Sequence, residues 1–384
     1  MKRLPAWAEW SPAAAASPWT VGLEEEAMLV DPRTWALAPR IDEVLLALSH
    51  DLARHVTAET HGSALELATG IHARASGAAF ELASLRRRLS ADLEPLGLAA
   101  AVSGTHPTAV WKDSVISSGA RYQSIYGSMR ELARREPTFA LHVHVAIPTA
   151  RMAARALTRM RAHLPVLLAL SANSPFWQGR DTGLASARTP LFQAFPRVGI
   201  PRAFRDYADY VEAIDLLLRC DAFPEPTFLW WDARLQPRFA TIEIRVMDAQ
   251  SRVEDSAALV ALVQCLVRLE ALEGYVAGAL VNAPEVLDEN RFLAARDGIA
   301  AELIDPVAGR RRPLSEWVGE LLAACAPHAV ALGCERELAG IEGLLEAPGA
   351  ARQRAEAGGP EKLAGLVREL AKDFGSSRPE LALG

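Results

Sequence analysis

The stretch that decides the fold is Thr20–Val30, TVGLEEEAMLV, in which charged and aliphatic side chains alternate. A β-strand sends successive side chains to opposite faces. Glu24 and Glu26 therefore share one face. The opposite face carries Glu25 and a row of aliphatic side chains: Val21, Leu23, Ala27 and Leu29. The sequence predicts a strand with one carboxylate face and one mainly apolar face.

Three further stretches repeat this pattern: Ser63–Gly70 (SALELATG), Thr138–Pro148 (TFALHVHVAIP) and Thr241–Asp248 (TIEIRVMD). Their polar faces carry Glu66, then His142 and His144, then Glu243 and Arg245. Any one of these segments alone is typical of a half-solvated antiparallel strand. Together in one sheet they would gather four carboxylates, two imidazoles and a guanidinium, which repel unless cations intervene. The repetition predicts a divalent-metal and polyphosphate site.

Composition bounds the class of protein. The chain has 384 residues, of which 50% are hydrophobic and 23% charged, as in soluble globular proteins of one large or two ordinary domains. The net charge of −6 gives no electrostatic reason for nucleic acid or a membrane surface as partner. The four cysteines form no metal-binding spacing, so we expect free thiols and a cytoplasmic setting. The longest apolar run, Leu164–Ala172, is too short to span a bilayer.

The pattern along the chain predicts a flexible leader at 1–18, a single catalytic domain at 19–374 and a flexible tail at 375–384. Strands are predicted at 20–30, 63–70, 97–104, 138–148 and 239–248, with helical patterns between and after them. The alternation indicates an α/β (α+β) fold with a largely antiparallel sheet open on one side. Residues 173–204 show little periodicity and many Gly and Pro residues, which favours a lid or a substrate-binding loop.

Several site classes are excluded by missing motifs. There is no GxxxxGK[ST] loop, no GxGxxG after a strand, and no GxSxG or Cys/His pair. If a nucleotide binds, its phosphates would be held by arginines and by carboxylate-bound Mg²⁺ or Mn²⁺.

Several short motifs in the chain, taken together, are highly specific for one protein family. They are GLEEE at 22–26, ETHGSALELAT at 59–69, GTHP at 104–107, RYQ at 121–123, HVHV at 142–145, SPFWQGRDTGLASAR at 174–188, WWDARLQPRFATIEIRVMDAQ at 230–250 and RRPL at 311–314. In this order, from about residue 20 to about residue 370, the chain resembles the bacterial carboxylate–amine ligases of the glutamate–cysteine ligase type 2 group.

The resemblance implies a glutamine synthetase-like fold, in which a curved, mostly antiparallel sheet forms a funnel-shaped active site with helices on its outer face. It also implies ATP-dependent formation of an amide through an acyl phosphate, with release of ADP and phosphate. The expected cofactors are ATP and Mg²⁺ or Mn²⁺. The expected partners are a small-molecule carboxylate and an amine, with a homodimer as an option.

Carried over by position, the resemblance also implies roles for single residues. Metal-binding positions are matched by Glu24, Glu26, Glu59, Glu66, His142 and Glu243. Positions near the ATP phosphates are matched by His144, Arg234 and Arg245. Substrate-binding positions are matched by Arg121, Arg180 and Arg188. Glu24, Glu243 and Arg245 are the expected catalytic residues.

The chain departs from the usual family pattern at Leu235-Gln236, where Pro-Ser is common, and at Ala240, where Gly is common. The carboxylate, the amine and the base that accepts the amine proton stay open. Three other functions remain as alternatives on this pattern: a metal-dependent amide hydrolase, a non-catalytic metabolite-binding relative and a phosphotransferase.

Overall fold

A computed structural model describes residues 4–135, 137–359 and 362–376. Its main sheet has seven strands: β1 (Val21–Val30), β2 (Val56–Ala58), β3 (Ala64–Ala68), β4 (Ala99–Ala101), β5 (Ala140–Ala146), β6 (Ala233–Gln236) and β7 (Thr241–Asp248). A separate hairpin is formed by β8 (Glu302–Asp305) and β9 (Arg310–Pro313).

The helices are α1 (Ala13–Ala16), α2 (Ile41–Ala47), α3 (Ala75–Leu93), α4 (Ala120–Met129), α5 (Ala150–Met160), α6 (Leu164–Ser171), α7 (Arg188–Phe192), α8 (Tyr207–Arg219), α9 (Val253–Leu272), α10 (Gly278–Val281), α11 (Pro284–Asp297), α12 (Leu314–Leu332), α13 (Glu335–Ala339), α14 (Ile341–Glu346), α15 (Gly349–Ala357) and α16 (Leu363–Gly375). Within the described residues, no helix is long and apolar enough to cross a membrane.

The main sheet is antiparallel throughout, in the order β6-β7-β5-β1-β3-β2, with β4 paired to the end of β1. All four stretches that the sequence singled out lie in it. The prediction of a mostly antiparallel sheet with helices on its outer face is therefore confirmed. The sequence did not predict β2 and β6, each of four residues or fewer.

The apolar face of the sheet packs on helices α3, α5, α6 and α9. Helix α9 is buried along nearly its whole length, and a second helical layer, α12–α14, covers it. The carboxylate of Glu25 also lies on this face, where it is fully buried and accepts hydrogen bonds from Nε and Nη2 of Arg86 at 2.7 and 2.5 Å. This pair explains how one glutamate can stand among aliphatic side chains.

The segment before β1 contacts the body of the protein. Ala8 is fully buried, and Nε1 of Trp10 donates to the carbonyl of Ile147 at 3.0 Å. The hydroxyl of Tyr207 on α8 donates to the carbonyl of Ala8 at 2.6 Å, so part of this segment contacts the body of the protein, while most of its other residues are exposed or half-buried. The flexible leader at 1–18 stays a prediction. The predicted flexible tail lies outside the described residues beyond Ser376.

The long segment 173–204 is built from short ordered pieces. Phe176–Trp177 pairs with Arg180–Asp181, α7 follows, and Val198–Gly199 pairs in parallel with Trp230–Trp231. Only part of this segment faces the polar side of the sheet, as described below.

Candidate active site

The sheet register brings the predicted polar groups together on one face. Glu24 is the partner of His142 across β1 and β5, and Glu26 is the partner of Glu66 across β1 and β3. On the other side of β5, His144 is the partner of Glu243. We call Glu24, Glu26, Glu66, His142 and Glu243 the carboxylate cluster.

Two groups within the carboxylate cluster have ligand atoms that all lie within 4.8 Å of one another: Glu24, His142 and Glu243, and Glu26, Glu66 and His142. His142 belongs to both. Its Nδ1 lies 3.3 Å from Oε2 of Glu24, and its Nε2 lies 3.7 Å from Oε1 of Glu26. Either group has the donor atoms for a cation, and the imidazole of His142 is available to one of them.

The carboxylate cluster has an excess of negative charge on one side. Burial, followed by the charge of Glu59, raises the pKa of Glu26 to about 8. Burial and the charges of Glu24, Glu59 and Glu26 raise the pKa of Glu66 well above its ordinary value. The pKa of Glu59 is also raised by burial. These three side chains would gain most from a bound cation, because a nearby positive charge offsets the cost of burying a carboxylate and the repulsion between neighbouring carboxylates.

Glu243 has the opposite environment. It is fully buried, yet Arg234 and Arg245 outweigh the effect of burial and hold its pKa well below the ordinary value. Arg234 donates to both carboxylate oxygens at 2.6 and 3.1 Å, Gln236 donates at 2.7 Å, and Arg245 contacts Oε1. Arg245, which the resemblance places near the ATP phosphates, thus contacts a protein carboxylate in this structure.

The remaining donors of Arg234 are also engaged, since its Nη1 donates to the carbonyls of Thr227 and Leu229 at 2.8 and 2.9 Å. Arg245 is less occupied. Its Nε is buried without a hydrogen-bond partner among the described residues. Of the two arginines, Arg245 is therefore the one able to turn to a ligand.

The two histidines differ in charge. Burial and the nearby Arg245 lower the pKa of His142 to about 4, which leaves it neutral at physiological pH and able to bind a metal. Burial also lowers the pKa of His144, but the charges of Glu24 and Glu243 more than offset this and the net shift is upward. Nε2 of His144 lies 3.2 Å from Oε1 of Glu24.

A cavity of about 450 Å³ opens over the carboxylate cluster. Its walls come from the segment around β2, from α4, from α7 and from the strand β6. Of the predicted site residues, this first cavity is lined by Glu24, Glu26, Glu59, Glu66, Arg121, His142, Arg188, Arg234 and Arg245.

The three predicted substrate arginines have different positions. Arg188 is buried at the cavity wall, and Arg121 lies at a half-exposed wall where it contacts Glu225 and stacks on Phe228. Arg180 is exposed in a separate surface groove and is not brought to the first cavity.

A second, mostly apolar cavity of about 500 Å³ meets the first at Glu24 and Phe239. It lies at the end of the sheet where β1 begins, and His144 lines it. The N-terminal segment contributes Ser11, Ala13, Ala14 and Ser17 to its wall. The cluster thus has one cavity over its face and another at its end.

Gln236 and Glu225 are among the polar wall residues that sequence reasoning missed. Gln236 alternates with Arg234 along ARLQ, so a period-2 reading of this short strand could have found it. No pattern in the sequence points to Glu225, because its partner Arg121 is 104 residues away.

Comparison with known proteins identifies the class. The model of the family described as glutamate-cysteine ligase family 2 (GCS2) matches residues 20–365. The chain therefore belongs to this family, and the resemblance seen in the motifs is confirmed.

Two similar relatives come from Rubrobacter xylanophilus. The chain is 37% identical over 366 residues to "Putative glutamate--cysteine ligase 2-1", an alignment that covers 95% of this chain and 96% of that protein. It is 40% identical over 367 residues to "Putative glutamate--cysteine ligase 2-3", covering 93% and 98%.

Solved structures share the fold. The bifunctional glutathione synthetase from Pasteurella multocida matches 95% of this chain with a TM-score of 0.69 at 14% identity, and the chain spans about half of it (52%). The glutamate–cysteine ligase from Francisella tularensis, solved in complex with AMP, matches 94% of this chain and 89% of its own length with a TM-score of 0.63 at 13% identity. The family and the fold together indicate a carboxylate–amine ligase.

Proposed function

We propose that this protein is an ATP-dependent ligase that joins a small carboxylate to an amine through an acyl phosphate. The observation that carries the proposal is the carboxylate cluster, which lies between two cavities and beside Arg188, Arg234 and Arg245. A folded protein has no structural need to bury so many carboxylates on one face.

The donor set fits Mg²⁺ or Mn²⁺, because hard carboxylate oxygens with one imidazole suit these ions. Glu24, Glu26, Glu66, His142 and Glu243 would hold them, with Glu59 close enough to raise the pKa of Glu26. Bound there, the ions would neutralise phosphate oxygens and polarise the phosphoryl group.

The two cavities suggest separate binding places for ATP and for the carboxylate substrate. The apolar second cavity would take the base and sugar of ATP, with His144 near the phosphates at the junction. The first cavity would take the carboxylate substrate, held by Arg188 and Arg121 on its walls. Both substrates would then meet at the carboxylate cluster.

In the first step a substrate carboxylate oxygen attacks the γ-phosphorus of ATP and ADP leaves. Arg245 would stabilise the charge on the transferred phosphoryl group, after exchanging its contact with Glu243 for phosphate oxygens. Arg234 would keep Glu243 in place, since its donors are already engaged. In the second step the amine nitrogen attacks the acyl carbon, phosphate leaves and the nitrogen loses a proton.

A paired-substrate screen tests the proposal. Purified protein is incubated with ATP, MgCl₂ and pairs of carboxylates and amines. ADP and phosphate are measured, and the organic products are identified by mass spectrometry. We expect phosphate release that requires ATP, the metal and both organic substrates. Amide turnover without ATP would instead establish a hydrolase.

Isotope transfer then tests the acyl phosphate. With ¹⁸O in the substrate carboxylate, one labelled oxygen should appear in inorganic phosphate for each amide formed, because the carboxylate oxygen that attacks phosphorus leaves with it. Retention of all the label in the organic product would rule out this intermediate.

Metal binding should depend on pH. Since the pKa of Glu26 is raised to about 8 in the folded protein, the folded state holds an extra proton between about pH 4.5 and 8. The melting temperature of the metal-free protein should therefore fall as the pH rises through this window. A cation competes with that proton, so the rise in melting temperature on adding Mn²⁺ should be larger at pH 8.5 than at pH 6.

Glu26→Gln provides the check on this pH dependence, because glutamine stays neutral. The variant should lose most of the Mn²⁺ response and part of the pH slope, whereas Glu302→Gln on the exposed edge of β8 should keep both. Equal Mn²⁺ responses at both pH values in the unmodified protein would contradict the assignment of Glu26.

A further inference from the structure

The strand β7 contains an irregularity beside the carboxylate cluster. Ile244 is the partner of Val143 on β5, but Met247 is the partner of Leu141, so β7 has one extra residue between these pairs. This bulge contains Arg245. A bulge changes the direction in which a side chain points and leaves backbone groups without ladder partners.

Arg188 binds the two carbonyls of this bulge. Its Nη1 donates to the carbonyl of Val246 and its Nη2 to the carbonyl of Arg245, both at 3.1 Å. The guanidinium is almost fully buried, and its charge acts on Glu26. Arg188 thus joins the substrate wall to the backbone that presents Arg245.

Behind Arg188 lies a buried polar centre built on Asp248, the last residue of β7. Its carboxylate is fully buried and accepts hydrogen bonds from the backbone N–H of Asn173 at 2.9 Å, from Ser174 Oγ at 2.6 Å and from Ser186 Oγ at 2.9 Å. Nη1 of Arg188 lies 3.7 Å from Oδ1. The carboxylate therefore ties both ends of segment 173–189 to the end of β7.

The space around Asp248 is closed by Gly104. A Cβ atom at Gly104 would lie 2.7 Å from Cγ and from Oδ2 of Asp248, and 2.9 Å from Cβ of Ser174. Only glycine permits this approach. Three of the sequence motifs, at 104–107, 174–188 and 230–250, thus meet at one carboxylate that does not line either cavity.

We propose that Asp248 is a positioning residue, which holds Arg188 against the β7 bulge and thereby aims Arg245 at the carboxylate cluster. The inference rests on the proposed function for its kinetic consequences. Its structural part, that Asp248 fixes segment 173–189, does not depend on the reaction.

Asp248→Asn tests the inference. The amide keeps the shape but loses the charge and one acceptor oxygen. We expect kcat to fall roughly 10- to 100-fold, the range for loss of one hydrogen bond to a charged group, while KM for ATP changes little. Hydrogen–deuterium exchange in residues 173–189 and 244–248 should rise at the same time.

The matched control is Asp305→Asn, which alters another buried carboxylate that pairs with an arginine and two backbone N–H groups. It should leave kcat and the exchange of 173–189 unchanged.

A double-mutant cycle separates positioning from general stability. In an Arg245→Lys background, Asp248→Asn should lower kcat by a much smaller factor than it does in the unmodified enzyme, since it acts through Arg245.

Ser186→Ala provides a milder variant if Asp248→Asn fails to fold, because it removes one donor from the same carboxylate. Its kcat should fall and its hydrogen–deuterium exchange in residues 173–189 should rise, each by less than in Asp248→Asn. Full additivity with Arg245→Lys, or unchanged exchange in 173–189 for a folded variant, would overturn the inference. If no substrate pair is turned over by the unmodified enzyme, the proposed function fails and the exchange measurement still decides whether Asp248 fixes the segment.

Discussion

Glu24→Gln should lower metal-dependent activity at least about 100-fold, because it removes the charge of a proposed metal ligand that lies close to both histidines. The side chain keeps its shape and can still accept hydrogen bonds from His142 and His144. The melting temperature should therefore change modestly. Steady-state kinetics at increasing Mg²⁺ concentration, with the melting curve of the same sample, measures both quantities.

The neighbouring residue on the same strand provides the control. Glu25 points to the opposite face and pairs with Arg86, so Glu25→Gln leaves a buried guanidinium without its partner. Breaking such a pair costs about 3–5 kcal/mol of unfolding free energy. We expect a clearly lower melting temperature, while the fraction that stays folded turns over normally.

These two variants test which face of β1 is the functional one. If Glu24→Gln keeps full activity at ordinary Mg²⁺, Glu24 is not a ligand. If Glu25→Gln loses activity in its folded fraction as fully as Glu24→Gln does, the difference between the faces has no functional meaning and the cluster is wrongly assigned.

The sequence was sufficient to predict the composition of the carboxylate cluster, for a simple physical reason. A strand has a period of two, so Glu24 and Glu26 had to share a face whatever their partners were. The greasy faces of the four stretches then required burial under helices. The family motifs added Glu59, which lies in no strand.

What the sequence could not predict depends on contacts between distant residues. Arg86 as the partner of Glu25, and Glu225 as the partner of Arg121, are separated from them by 61 and 104 residues. The second cavity is formed in part by residues 11–17, whose composition indicated a loose leader. Packing of the whole chain decides such features.

Arg180 shows a further limit of motif reasoning. It lies in the same motif as Arg188, but Gln178 and Gly179 both have positive φ angles (48° and 77°) and turn the chain just before it. The side chain is consequently exposed in a separate groove. A motif identifies the loop, whereas backbone conformation decides which of its arginines reaches the site.

Arg245→Lys should slow phosphoryl transfer roughly 10- to 1000-fold, the range expected when one donor to the transition state is lost. Arg245 is the arginine of the site whose guanidinium contacts Glu243 through Nη1 and keeps a buried Nε without a hydrogen-bond partner among the described residues. A planar fork can exchange that contact for two phosphate oxygens, which a lysine ammonium cannot reproduce. Single-turnover phosphoryl transfer, followed by quenched flow, measures the step directly.

Stability should respond differently at the two arginines that contact Glu243. Lysine at position 245 can still neutralise Glu243, which also keeps both hydrogen bonds from Arg234 and one from Gln236, so the melting temperature should change little. Arg234→Lys is the matched control. It removes the bidentate pair and the contacts with two carbonyls, and we expect it to lower the melting temperature. If Arg245→Lys melts much earlier while its folded fraction turns over normally, Arg245 is a structural partner of Glu243 and not a phosphate ligand.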